Sequence, residues 1–119
     1  MRAIYTSTGA TAALLSEGHI FNLQGEWIGW VDESNQVYSI AGEYVGWLTK
    51  DPRVLRKRSI DQMPPRRERP SPRGRIRVPA TFPLPPMMAE TSFEIVDVLD
   101  EMPELLHTTD FDPKAEDLD

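Results

Sequence analysis

The chain of 119 residues has no cysteine, two histidines and no long apolar run, and each shortage removes a class of explanation. Without cysteine there are no disulfide staples, thiol nucleophiles or cysteine-based zinc sites. His19 and His107 lie far apart in sequence, with no Glu-x-x-His or similar metal spacing, and read as ordinary surface or half-buried histidines. No stretch approaches the roughly 18 apolar residues of a spanning helix, and the start Met-Arg-Ala-Ile-Tyr-Thr has no apolar leader, so a cytoplasmic protein is expected. Asp110-x-Asp112 followed by Pro113 lacks the glycine and terminal glutamate of a calcium loop. No nucleophile motif or phosphate-cradling loop is present, so the expectation is a non-enzymatic protein with no cofactor, metal or catalytic residue.

What the sequence does contain is repetition. Ile20-Phe21-Asn22-Leu23-Gln24-Gly25-Glu26-Trp27-Ile28-Gly29-Trp30-Val31 returns as Val37-Tyr38-Ser39-Ile40-Ala41-Gly42-Glu43-Tyr44-Val45-Gly46-Trp47-Leu48. An earlier, degenerate copy runs from Ile4 to Leu15, with Gly9 in place of Gly25 and Ala13 in place of Gly29. A fourth begins at Val54 but has Ser59 where the turn glycine belongs, and nothing like Trp-Ile-Gly-Trp follows. The four starts lie 16, 17 and 17 residues apart. A unit copied at a fixed period buries its apolar faces against its own copies.

Each unit reads as a β-hairpin: an apolar run, a two-residue element ending in glycine (Thr8-Gly9, Gln24-Gly25, Ala41-Gly42), then a run rich in β-branched and aromatic residues. Glycine suits a corner that needs positive φ. Simple alternation places Trp27, Gly29 and Val31 on one strand face and Ile28 and Trp30 on the other, so the strand should be covered on both sides. Gly29 and Gly46 then permit close approach of a neighbouring backbone or ring. Trp27, Trp30, Tyr44 and Trp47 read as packed residues, and their rings are expected to hold the petals shut.

The pattern hydrophobic-aromatic-x-x-x-Gly-x-x-x-Gly-aromatic, from Ile20-Phe21 through Gly25 to Gly29-Trp30 and from Val37-Tyr38 through Gly42 to Gly46-Trp47, resembles the 4-fold beta flower proteins. That family is mainly bacterial and functionally uncharacterised. The resemblance implies a closed or nearly closed set of hairpin petals with pseudo-fourfold symmetry and a proline-rich tail. It covers residues 3 to about 58 by repeat, and the tail from Met63 to about Leu106 in style. The likeness of such domains to Tubby-type barrels implies an apolar channel, although no residue here reads as a lipid site. The fold expected is therefore all-β: a small barrel-like domain of three to four repeated β-hairpins, an extended Pro/Arg-rich segment and a short C-terminal helix.

The net charge of -6 conceals segregation: -4 over residues 1–49, +8 over 50–77, none over 78–89 and -10 over 90–119. A cationic block followed by an anionic end invites intramolecular attraction, whereas Pro64-Pro65, Pro70, Pro72, Pro79, Pro83 and Pro85-Pro86 favour an extended, mobile segment. Four parts follow: a hairpin-repeat domain over 1–58, a Pro/Arg-rich linker over 59–90, a short amphipathic segment over 91–107 and a disordered acidic end over 108–119. A repeat domain near 60 residues is marginal alone, so the tail should fold back on it or copies should self-associate through the open fourth petal. Arg75-Ile76-Arg77-Val78 could supply an alternating strand to that petal. Thr91-Ser92-Phe93-Glu94 has capping-box spacing, which predicts a helix presenting Phe93, Val96 and Leu99; the run Ile95-Val96-Asp97-Val98 also permits a strand.

Three functional readings compete. The first is an interaction module or scaffold that binds a protein partner through its tail or barrel. The second is polyanion binding through Arg66, Arg67, Arg69, Arg73, Arg75 and Arg77, in which Pro72-Arg73-Gly74-Arg75 is similar to an AT-hook core although Ile76 stands where proline is expected. The third is an apolar ligand or lipid held among the petals. Glu26 and Glu43, both just after a turn glycine, form a repeated carboxylate pair that repetition explains better than chemistry, and the first copy has Ala10 there.

Overall fold

The computed structural model describes residues 1–108; most of the acidic end, with Asp110 and Asp112, lies outside them. Eight antiparallel strands form one meander: β1 Arg2–Tyr5, β2 Thr11–Ser16, β3 His19–Phe21, β4 Trp27–Val31, β5 Gln36–Ser39, β6 Tyr44–Leu48, β7 Val54–Lys57 and β8 Ile95–Asp97. Each pairs only with its sequence neighbours, and the sheet curls into a half-barrel. A short helix α1, Val98–Glu101, and a 3-10 turn, Pro103–Leu105, follow β8. Among the described residues no helix is long and apolar enough to cross a membrane.

The corners are longer than a two-residue turn. In the second petal the Asn22 amide donates to the Glu26 carbonyl (2.8 Å) and the Gly25 amide to the Asn22 carbonyl (3.0 Å), leaving a three-residue loop that ends on a glycine with φ of 85°. The third petal repeats this with Ser39, Glu43 and Gly42. A polar side chain steadies each corner: Asn22 Oδ1 accepts from the amides of Gln24 and Glu26, and Ser39 Oγ from those of Ala41 and Glu43. Such short side chains bond their own backbone readily, which is why Asn and Ser sit three residues before the glycine.

Each of these corners is followed by an extra residue in the second strand. Phe21 pairs with Trp27 but Ile20 pairs with Gly29, so Ile28 is bulged; Val45 is bulged in the third petal and Ala12 in the first. One extra residue reverses the alternation. The face assignment drawn from simple alternation is corrected accordingly: Trp27 and Trp30 share the outer face, while Ile28, Gly29 and Val31 belong to the inner one.

The interior is consequently aliphatic rather than aromatic. Ile4, Ala13, Ile20, Ile28, Val37, Val45 and Val54 form one buried cluster, joined from the C-terminal end by Val98 and Leu106. Trp27 and Trp30 are packed, as expected from sequence, with Tyr38 beside them, but in a second cluster on the outer face of the sheet rather than in this interior. Leu106 packs where Gly29 has no side chain: a Cβ there would come 2.8 Å from Leu106 Cδ2 and 2.6 Å from the Tyr38 carbonyl oxygen.

The fourth petal is completed by the chain's own distant segment. β8 pairs with β7 through Leu55↔Asp97, Arg56↔Val96 and Lys57↔Ile95, and the Arg58 amide donates to the Glu94 carbonyl (2.7 Å). Residues 75–78 form no strand and do not join this petal. The helix expected over 91–102 shortens to α1, because Ile95, Val96 and Asp97 are taken by the sheet; Phe93 is exposed. Polar contacts then draw the first petal to the fourth. Buried Asp97 accepts from the Ser7 amide (2.6 Å) and hydroxyl (2.7 Å) through Oδ2. Buried Arg53 donates to Ser7 Oγ (3.0 Å) and pairs with Asp51 (2.7 Å), and the Tyr5 amide donates to the Pro52 carbonyl (3.0 Å).

If Leu106 completes the core, Leu106→Ala should lose about 2–4 kcal/mol of unfolding free energy, the range for truncating a buried leucine. Leu84→Ala, at a side chain left 92% exposed, should change stability by less than about 0.5 kcal/mol. Denaturant titration of both variants tests this, and equal small losses would show that Leu106 is not part of the core.

Candidate interaction surface

The outer face of β3 to β6 carries a continuous row of rings. His19 lies 5.9 Å from Trp27, Trp27 6.5 Å from Trp30 and Trp30 5.5 Å from Tyr38, while Tyr38 meets Tyr44 edge-on at 6.1 Å. Aromatic pairs at such distances add about 0.5–1.5 kcal/mol each beyond area burial. They also leave a flat apolar strip that must be covered.

The cover is the segment expected to be a linker. Residues 58–94, the connection between β7 and β8, run as a belt around the outside of the other petals in reverse order. The Arg67 amide donates to the Gly42 carbonyl (2.9 Å), the Ile76 amide to the Gly25 carbonyl (2.9 Å), and Pro85 packs on Gly9. These stations are nine residues apart. Between them Ile76, Val78 and Phe82 pack on the cluster of Leu14, Phe21, Trp27, Trp30, Tyr38 and Ile40. Gly25 and Gly42 thus meet two demands: besides positive φ, a Cβ at either would overlap the carbonyl oxygen of Ile76 or Arg67.

The six arginines singled out from sequence all lie on this belt, in different circumstances. Arg66 pairs with Glu43 (2.8 Å), Arg67 with Asp32 (2.8 Å) and Arg75 with Glu26 (3.7 Å). The two post-glycine glutamates are thus partners for the belt. At the third station the equivalent residues are Leu84 and Ala10, so charge is missing on both sides together. Arg67 also lies over the Tyr38 ring, 5.3 Å from its centre. Arg73 turns to His19, and Arg69 and Arg77 have no ion-pair partner among the described residues. Exposed pairs of this kind contribute about 0–1 kcal/mol each, so backbone and ring contacts, more than charge, hold the belt.

His19 is built into this surface, 7% exposed and flanked by two donors. Trp27 Nε1 approaches its Nδ1 (3.1 Å) and Arg73 Nε approaches its Nε2 (3.0 Å). A neutral imidazole accepts at one nitrogen only, so the two tautomers divide one acceptor between two donors, and a protonated ring offers none. Burial lowers the His19 pKa first and the Arg73 charge lowers it further, against a smaller opposing pull from Glu17. No group of three or more metal-ligating side chains occurs among the described residues.

A half-barrel of repeated antiparallel hairpins, bound by a belt from within its fourth petal, is the class of protein the geometry defines. The chain belongs to the 4-fold beta flower family, whose family model matches residues 2–93. The match runs through the whole belt up to Phe93 and stops just short of β8. Neither a curated protein nor a solved structure matches the chain. The aromatic positions and turn glycines were visible in the repeat, and a tail folded back on the barrel was expected; the belt's path was not, although arginine opposite glutamate at two stations and leucine opposite alanine at the third was a signal available to find it.

Two outcomes follow. Gly42→Ala should release the belt locally: the Arg67 amide should lose hydrogen-exchange protection while the Ile76 amide, hydrogen-bonded at Gly25, keeps it. Loss at neither amide would show that the corner contact does not hold the belt. For His19, the folded pKa lies below the unfolded value of about 6.5, so the unfolded chain binds the proton more readily. Stability from this group should be full above about pH 6.5 and fall as pH drops toward the lowered folded value. His19→Gln should flatten that slope in thermal melts between about pH 7.5 and 5.5.

Proposed function

We propose that the protein is a non-enzymatic interaction module in which the half-barrel holds the belt rigid and the belt's outward side engages a protein partner. The observation that carries this reading is the exposure of Leu84 (92%) and Met87 (99%) on a segment whose backbone is pinned on both sides. The Tyr5 hydroxyl donates to the Pro83 carbonyl (2.9 Å), Pro85 rests on Gly9, and Arg53 donates to the Ala89 carbonyl (2.9 Å). A loop of this length inside a compact domain is functional or disordered, and this one is tied down. Prolines at 79, 83, 85 and 86 reduce the conformational freedom that binding must remove. Arg69 and Arg77, earlier on the same belt, have no ion-pair partner among the described residues and favour a partner that also carries acidic residues.

The polyanion reading draws less support. Three of the six guanidiniums already face carboxylates of the barrel, the chain is net -6, and a nucleic acid would have to displace those pairs. A ligand among the petals is opposed by the aliphatic filling of the interior with Val98 and Leu106.

The test is quantitative affinity capture with the whole chain after nuclease treatment, comparing wild type, Leu84→Glu/Met87→Glu and Arg69→Glu/Arg77→Glu. A protein partner should be retained by wild type and lost by the first variant, with a melting temperature within about 2 °C of wild type. The second variant should weaken capture less and remove part of its salt dependence. Capture indifferent to the Leu84/Met87 change, or abolished by nuclease, would overturn the proposal.

A further inference from the structure

Between its stations at Gly42 and Gly25 the belt stands off the sheet as an arch. Cavities of about 240 Å³ and 260 Å³ lie on either side of His19, one bounded by Trp30 with Glu68 and Pro70 of the belt, the other by Phe21 with Arg73 and Gly74. Ile76, Val78 and Phe82, the belt residues that pack on the aromatic cluster, all come after the arch. Over residues 68–74 the belt makes one hydrogen bond to the barrel among the described residues, from Arg73 Nε to His19 Nε2 (3.0 Å). Pro70 faces Trp30 and Pro72 faces Trp27, and the two indoles are left 8% and 4% exposed. Their cover therefore hangs on a single tie.

The acceptor in that tie is a titratable ring. Trp27 Nε1 faces its Nδ1 (3.1 Å) as Arg73 faces its Nε2, so both nitrogens meet donors. Protonation puts a hydrogen on each nitrogen, which removes every acceptor and sets a second cation against Arg73. Among the other charges at the ring, Glu17 pulls the opposite way without overcoming burial and Arg73. Glu68, Arg67 and Arg75 line the same cavities, the two arginines paired with Asp32 and Glu26. Lifting the arch admits water and takes Arg73 away, so opening and protonation favour each other. The third petal has Gln36 opposite Trp47 where the second has His19 opposite Trp30. Glutamine suits the same surface but gains no proton, so this response belongs to the second petal.

We propose that His19 is a proton-operated latch: on protonation the arch of residues 68–74 lifts and bares Trp27 and Trp30, while the Arg67 and Ile76 amides stay bonded at Gly42 and Gly25. The latch converts mild acidity into an exposed apolar surface on a chain that is still folded. It operates without a partner and is read on the protein alone.

NMR on the whole chain, with a neutral gadolinium chelate as the solvent probe, tests the latch. From about pH 7.5 to about pH 5, relaxation by the chelate should rise severalfold at the Trp27 and Trp30 indoles, with the midpoint at which the His19 ring itself titrates. It should stay unchanged at the Arg67 and Ile76 amides. His19→Gln, which copies the third petal, should keep both indoles shielded throughout. Arg73→Met, at an exposed residue, serves if His19→Gln does not fold, and should leave the indoles accessible already at about pH 7.5. Indoles that stay shielded while His19 titrates, as they would if Glu68 took over the tie, would overturn the proposal. So would an imidazole that remains neutral until the chain unfolds, opening that persists in His19→Gln, or shielding that survives in Arg73→Met.

Discussion

The architecture depends on the hydrogen bonds that the belt makes to the backbone of Gly25 and Gly42. At each corner the missing side chain permits positive φ, which closes the three-residue loop, and also lets a second segment of main chain lie directly on that loop. Closing the hairpin and docking the belt use the same residue, its amide donating within the corner and its carbonyl accepting from the belt, so a side chain added there acts on both. The aromatic row beneath follows from this geometry. Trp27, Trp30 and Tyr38 would form an exposed apolar strip without the belt, and with it they become a second core outside the sheet. The molecule therefore has two apolar layers on either side of one thin curled sheet, aliphatic within and aromatic without. A small domain gains burial in this way without adding strands.

The bulges decide which side chain enters which layer. Had the strands alternated regularly, one ring of each pair, Trp27 with Trp30 and Tyr44 with Trp47, would have pointed inward, where the interior is filled by valine and isoleucine. The extra residue opposite Ile20 and Val37 sends Trp27 and Tyr44 outward with Trp30 and Trp47. This accounts for the sequence motif: an aromatic, then an aliphatic residue and a glycine that both face in, then an aromatic that faces out.

Much of this was legible in the residues. Period, glycine corners and strand content follow from local chemistry, and they gave three petals and the start of a fourth at the right places. The bulge was not legible, because Ile28 and Val45 are as compatible with regular alternation as with an inserted residue. Completion of the fourth petal by Ile95–Asp97 was hidden for a different reason: β7 and its partner are separated by the whole belt, and Thr91-Ser92-Phe93-Glu94 imitates a helix start. That the tail should fold back followed from the small size of the repeat domain, but the path of the belt was hidden by composition, since prolines and arginines in a row read as mobile chain unless the opposing glutamates are matched to them by position.

The placement of β8 and Leu106 has a consequence for how the protein is made. Three petals can form as soon as they emerge from the ribosome, but the strand that finishes the sheet and the leucine that fills its centre are translated some forty residues or more after β7. A long-range pairing of this kind comes late and leaves apolar surface bare meanwhile. A nascent chain stalled before Ile95 is thus a three-petalled intermediate with an open aliphatic trough, the form of this protein most exposed to chaperones and to proteolysis.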